Sequence, residues 1–194
     1  MLAELATEKD IFVGKLGYIH FPGAFYAYVG SAMNGLEARL SHHLRKEKKP
    51  HWHIDYLLRE AEIVDIILCP GEPFASCHSE GEKRPKNLPF SFFLSSGLRA
   101  SAHQDKVHEE SHSAQGRLRT ECFLAWALAK EFDAVPGFGS SDCKCESHLY
   151  FASDGDRLEA KVTEAINRAG LSYKIFSQRR GEKWHRDLMT LLKS

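Results

Sequence analysis

Between Tyr28 and Leu58 the sequence reads YVGSAMNGLEARLSHHLRKEKKPHWHIDYLL, and most of its ionisable side chains are bases or cations. Arg39 and His43 stand four residues apart, which places both on one face of a helix. A guanidinium is a planar, permanently charged fork suited to phosphate, and an imidazole exchanges protons near neutral pH. His42 adjoins them. Lys46, Lys48 and Lys49 follow, either as a solvated helix end or as point charges for phosphates. In His51-Trp52-His53 an extended backbone would turn both imidazoles to one side and the indole to the other. Those histidines could then touch phosphate or pair with Asp55; equally, the segment could cap a helix with Trp52 anchoring the core. Just upstream, the apolar run FYAYVG ends at Gly30 and Ser31, where loop backbone can approach a ligand.

A second constellation is Cys143-Lys144-Cys145-Glu146-Ser147-His148, a C-x-C-x-x-H set. Cys143, Cys145 and His148 could furnish three zinc positions, with His51, His53 or Cys69 as the fourth. The competing reading is a tight turn tied by Asp142 and His148 around small buried thiols. That plainer reading ranks first, because the spacing departs from C-x-x-C and the sequence fixes no second ligand pair.

The chain has 194 residues, 43% of them hydrophobic, with zero formal net charge. That is enough to bury a core, and it excludes a global field aimed at nucleic acid or membrane. Charge is nonetheless uneven: Leu36 to His53 holds five Lys/Arg and four His against two Glu. No apolar stretch reaches the length of a membrane span, the N-terminus lacks signal-peptide order, and five unframed cysteines suit a reducing compartment, so a cytoplasmic protein is expected.

The elements that must position these groups follow from periodicity. Residues 1–30 alternate apolar and polar positions between Gly and Pro breaks, as two or three short antiparallel strands do. Leu36, Leu40 and Leu44 mark a helix that Pro50 ends, and residues 61–68 read as a core strand closed by Cys69-Pro70-Gly71. Residues 72–117 are rich in Ser, Glu, Lys, Gly and Pro apart from an island at Phe90 to Leu98. They read as a partly disordered insertion. Thr120 to Phe132 restores a helix with Phe123, Ala127 and Leu128 along one face, and Leu149 to Phe151 forms a strand. The tail predicts a helix over 157–169, a strand over 171–176 and a helix over 182–192.

VGKLG at Val13, YVGSA at Tyr28, R-x-x-x-H at Arg39, HWHIDYLL at His51 and FGSSDCKCESHL at Phe138 occur in one order. In this the chain resembles the GIY-YIG nuclease superfamily, most closely a branch labelled a domain of unknown function in archaea and bacteria, sometimes fused to endonuclease III-type proteins. The resemblance implies an α+β fold: a small three-stranded antiparallel sheet flanked by helices over residues 1–152, interrupted by the 72–117 insertion. Residues 153–194 would form a helix-strand-helix extension packed on it. It further implies a divalent-metal-dependent DNA endonuclease, acting in repair beside other repair proteins, with Mg²⁺ or Mn²⁺ as cofactor and DNA favoured over RNA.

Carried onto this chain, the superfamily's roles fall to Tyr28 at or beside the general base, Arg39 on the developing phosphorane charge and Glu121 on the metal. His43 is a second polar group one turn beyond Arg39. The superfamily's first tyrosine belongs on a strand before Tyr28, and Tyr18, preceded by Gly17, fits by spacing. The nucleic-acid contacts would be Gly30, Ser31, Lys46, Lys48, Lys49, His51 and His53. Two other readings stand beside this one: a non-catalytic nucleic-acid-binding module of the same fold, and an interaction protein stapled by metal at the C-x-C-x-x-H turn.

Overall fold

A computed structural model describes residues 1–32, 35–69, 120–179, 187–188 and 190. In chain order its elements are β1 (Leu2–Leu5), β2 (Lys9–Phe12), β3 (Tyr18–Phe21), β4 (Ala24–Tyr28), α1 (Leu36–Leu44), α2 (His53–Leu57), β5 (Glu62–Leu68), α3 (Thr120–Leu128), β6 (Asp133–Ala134), β7 (Leu149–Ala152), α4 (Gly155–Arg168) and β8 (Lys174–Ser177). The fold is α+β, with an antiparallel sheet and flanking helices as expected. The 72–117 insertion and its Phe90 to Leu98 island lie outside the described residues, as does most of the helix expected over 182–192.

Six strands form the main sheet in the order β6-β7-β4-β1-β5-β8, and β2 and β3 form a separate hairpin. The three central strands β4, β1 and β5 are widened by β7 and β6 on one side and by β8 on the other. The widening is a matter of register: Tyr28 pairs with Leu149 across β4 and β7, and Ile66 pairs with Phe176 across β5 and β8. The tail therefore contributes its strand to the same sheet, and Arg179 beyond it bonds Asp65 on β5 together with Asp156 and Glu159 of α4.

Because successive side chains on a strand point to opposite faces, the sheet builds two cores. Ala3, Leu5, Tyr26 and Tyr28 pack with Ile54, Leu57 and Phe138 on one face. Leu2 and Ala27 pack with Ala125, Leu128 and Leu158 on the other, under α3 and α4. The leucine stripe of α1 docks as its period indicates: Leu40 is buried against Ile66, Leu68 and Phe176, with Leu36 and Leu44 beside it. In α3 the buried stripe is Cys122, Ala125 and Leu128 rather than Phe123, Ala127 and Leu128, so the helix turns a different face to the sheet and keeps only Leu128 of the expected one. α4 starts two residues before the expected Arg157, since the Asp154 carboxylate accepts the Asp156 and Arg157 N–H groups as an N-cap. Among the described residues no helix is long and apolar enough to cross a membrane.

Candidate active site

The C-terminal end of β4, the loop after it and the start of α1 border an open cleft of roughly 970 Å³. The rest of its lining comes from the 51–53 segment, the N-terminus of α3 and the loop between β6 and β7. Tyr28, Arg39 and Glu121 all line it. They are also joined by hydrogen bonds. Arg39 Nη2 donates to the Tyr28 hydroxyl at 3.1 Å, Arg39 Nη1 donates to the Ser31 carbonyl, and the Ser31 N–H donates to Glu121 Oε2 at 2.8 Å. A phenol, a guanidinium and a carboxylate are thus held in one line, with the backbone N–H and C=O of Ser31 as the bridge.

Gly30 permits this line. A Cβ there would come within 3.0 Å of Arg39 Nη2 and 3.1 Å of a Tyr28 ring carbon, so a side chain would press on both groups. Gly139, at φ +72°, plays the same part in the β6–β7 loop, where a Cβ would meet Tyr28 and His148 at 3.2 Å. The Arg39 guanidinium also lies over the Trp52 indole, 4.9 Å from its centroid. Tyr28 is 9% exposed; burial pushes its hydroxyl above the ordinary phenol value while Arg39 pulls it back, so it stays protonated at neutral pH.

Beneath the cleft sits Asp55, with 0% exposure. One carboxylate oxygen accepts the His51 and Trp52 N–H groups and His42 Nε2, each at 2.9 Å; the other accepts His43 Nδ1 at 3.2 Å. Burial pushes this carboxyl up, but the hydrogen bonds from His43, the two backbone N–H groups and His42 hold it well below the usual carboxylate range. Asp55 also defines the start of α2, taking the Trp52 N–H as the third residue of a helix does in a capping box. An ionised acceptor requires donors opposite it, so His42 presents a protonated Nε2 to Asp55.

The sequence placed His43 beside Arg39, and the structure divides the work differently. His43 is buried at 5% exposure, its pKa is lowered by that burial against the pull of Asp55, and it does not line the cleft. His42, one position earlier, does. Gly30, Ser31, His51 and His53 line the cleft as well, and His53 accepts the Gly139 N–H on Nδ1 at 3.1 Å. Lys48 turns inward: its ammonium donates to the His43 carbonyl at 2.5 Å and stands 3.6 Å from Asp55. Lys46 and Lys49 are exposed beyond the cleft lining. Tyr18 lies on the β2–β3 hairpin, 79% exposed and packed edge-on against Phe12, so the structure does not bring it to Tyr28 and Arg39.

The lining charges also differ from a uniformly basic face. Among the described residues it holds Arg39 and Arg45 against Glu37, Glu121 and Asp142, with histidines between. Such a wall takes a polyanion only with added positive charge, from protonated imidazoles or a bound cation.

A sequence profile for the domain of unknown function DUF123 matches residues 1–110 and 98–171. The chain belongs to that family. DUF123 is a GIY-YIG-like family, and its two matched segments include every cleft residue named above. No curated protein and no solved structure matches the chain.

Next to the cleft, in this DUF123 chain, Cys122, Cys143, Cys145 and His148 bring one ligand atom each to within 4.8 Å of one another, a group that could hold a metal ion. The fourth member is Cys122 of α3 instead of His51, His53 or Cys69. Sequence spacing could not find it, because Cys122 precedes the C-x-C-x-x-H turn by about twenty residues and joins it only through tertiary packing.

Proposed function

We propose that the cleft binds a nucleic-acid backbone, DNA in preference to RNA, and hydrolyses one phosphodiester with a divalent ion. The observation that carries this reading is the hydrogen-bonded line from Tyr28 through Arg39 and Ser31 to Glu121 along one cleft wall. In a GIY-YIG-like family, that line joins the residues expected to work on phosphate.

Arg39 binds a non-bridging phosphate oxygen and meets the negative charge that grows as water attacks phosphorus. Trp52 and the Ser31 carbonyl hold its plane, so little reorganisation is needed at the moment of reaction. Tyr28 orients water or phosphate through its hydroxyl; held as a phenol, it is a donor and a relay. His42, oriented by Asp55, accepts the proton of the attacking water on Nδ1. The hard carboxylate oxygens of Glu121, with Asp142 also on the cleft wall, fit Mg²⁺ or Mn²⁺, which bind through one or two carboxylates and keep several waters. When bound, such an ion supplies positive charge to the scissile phosphate and to a lining otherwise short of cations. A setting in DNA repair, with repair proteins as partners, belongs to the same proposal.

The second reading is a nucleic-acid-binding module without cleavage, and the placement of Tyr18 favours it: Tyr28 is the cleft's one tyrosine among the described residues. Incubating the purified chain with labelled linear, flapped and junction DNAs, in Mg²⁺, Mn²⁺ or EDTA, separates the two. Cleavage that needs the metal and is lost in Glu121→Gln supports the nuclease. Binding to the same DNAs with no product in any metal supports the module.

A further inference from the structure

We propose that Cys122, Cys143, Cys145 and His148 bind one structural zinc ion in a closed Cys₃His site. This goes beyond the phosphodiester reading and stands whether or not the cleft cuts DNA.

Ligand chemistry comes first. Three thiolates and an imidazole form a soft to borderline set that selects Zn²⁺ over Mg²⁺ or Ca²⁺, which prefer oxygen. Size decides next. Zinc–sulfur and zinc–nitrogen bonds in a tetrahedron place neighbouring sulfurs about 3.8 Å apart and sulfur and nitrogen about 3.5 Å apart. Cys143 Sγ and His148 Nε2 are 3.4 Å apart, and all four ligand atoms fall within 4.8 Å. A single ion fits that space after a small contraction, whereas an iron–sulfur cluster needs its cysteines held farther apart. All four tetrahedral positions come from the protein, which leaves none for substrate and makes the site structural.

The surrounding fold shows what the ion would hold. The loop between β6 and β7 is laddered at its base, with Val135 N–H on the Leu149 carbonyl at 3.0 Å and His148 N–H on the Phe138 carbonyl at 2.7 Å. Its tip carries Cys143 and Cys145, half-buried, and faces Cys122, which is buried at the start of α3. Cys122 follows Glu121 directly, and His148 lines the cleft. Zinc therefore staples the helix that carries Glu121 to the β6–β7 loop, which lines the same cleft. A disulfide would use only two of the three thiols and leave the histidine idle.

The test uses the whole chain, purified under reducing conditions without chelator. Elemental analysis is expected to find about one zinc ion per chain, as a single tetrahedral site requires. The double variant Cys69→Ser/Cys77→Ser retains only the three cysteines of the site and is expected to hold the same amount; Cys145→Ser is expected to lose it. Because Cys145→Ser could fail to fold, the wild-type chain carries an independent measurement. After zinc removal, Co²⁺ is expected to give thiolate charge-transfer absorption with intense tetrahedral ligand-field bands that Zn²⁺ then abolishes. A wild-type chain that is metal-free and gives no such bands overturns the proposal. So does full zinc retention by folded Cys145→Ser, or loss of zinc in the double variant.

Discussion

The Ser31 N–H and the Glu121 carboxylate, 90 residues apart in the chain, are joined by a hydrogen bond of 2.8 Å. The carbonyl of the same residue takes Arg39. The backbone of one residue, through two successive peptide groups, therefore aligns a cation from α1 with a carboxylate from α3. This gives each substitution along the line a distinct expected signature.

Arg39 separates catalysis from binding. Loss of one preorganised donor to transition-state charge costs about 3 kcal/mol, so Arg39→Ala should lower turnover roughly a hundredfold or more. Arg39→Lys should fall nearly as far, since an ammonium keeps the charge but loses the fork that spans Tyr28 and Ser31. Affinity for DNA in Ca²⁺ should change little in both. Equal losses of binding and turnover would assign Arg39 to binding alone.

Glu121→Gln keeps the size of the side chain and an oxygen to accept the Ser31 N–H, while removing the negative charge. The expected result is normal folding, seen as an unchanged circular dichroism melt, with cleavage that demands much higher Mg²⁺ or disappears. Unaltered metal dependence would remove Glu121 from the metal role.

Gly30→Ala tests the close approach of backbone to the site. Gly30 has no positive φ, so the new methyl costs little in backbone strain, and stability should shift by less than about 1 kcal/mol. The methyl nonetheless meets Arg39 Nη2 and the Tyr28 ring, so turnover should drop about tenfold or more, as happens when a reacting group is displaced by a fraction of an ångström. Comparison of urea midpoints with initial rates reads both effects.

Acid should weaken the fold in two stages. His43 and His53 sit below their ordinary value of 6.5 because burial disfavours the imidazolium. The unfolded chain thus takes up protons first, and the stability present above pH 6.5 is lost as pH falls toward the folded values. Asp55 is depressed from 3.8, so its contribution persists above that pH and fails only in stronger acid. Melting temperature followed against pH should decline more gently in His43→Gln. Asp55→Asn should lose roughly 3 kcal/mol or more near neutral pH, because it strands two imidazoles and two N–H groups around a buried neutral amide. An unchanged pH slope in His43→Gln would discount the first stage.

Local pattern determined much of this protein. The Leu36, Leu40, Leu44 stripe announced α1, the alternation before Gly30 announced antiparallel strands, though four form where two or three were expected, and the ordered motifs pointed to a cleft at the end of β4. These features repeat over one or two turns or pleats, so short stretches of sequence contain them. Pattern could also say that Arg39 and His43 share a helix face, but not which side of that face meets the cleft. The docking of Leu40 onto Ile66 and Phe176 decides that, turning His43 inward to Asp55 and leaving His42 on the wall. Tyr18 had suitable spacing, yet the β2–β3 hairpin pairs outside the main sheet and carries it away. The same holds for Cys122 at the thiol cluster and Ser31 at Glu121. Both contacts cross long stretches of chain, and only the packing of α3 against the sheet, driven by Ala125 and Leu128, determines which atoms meet.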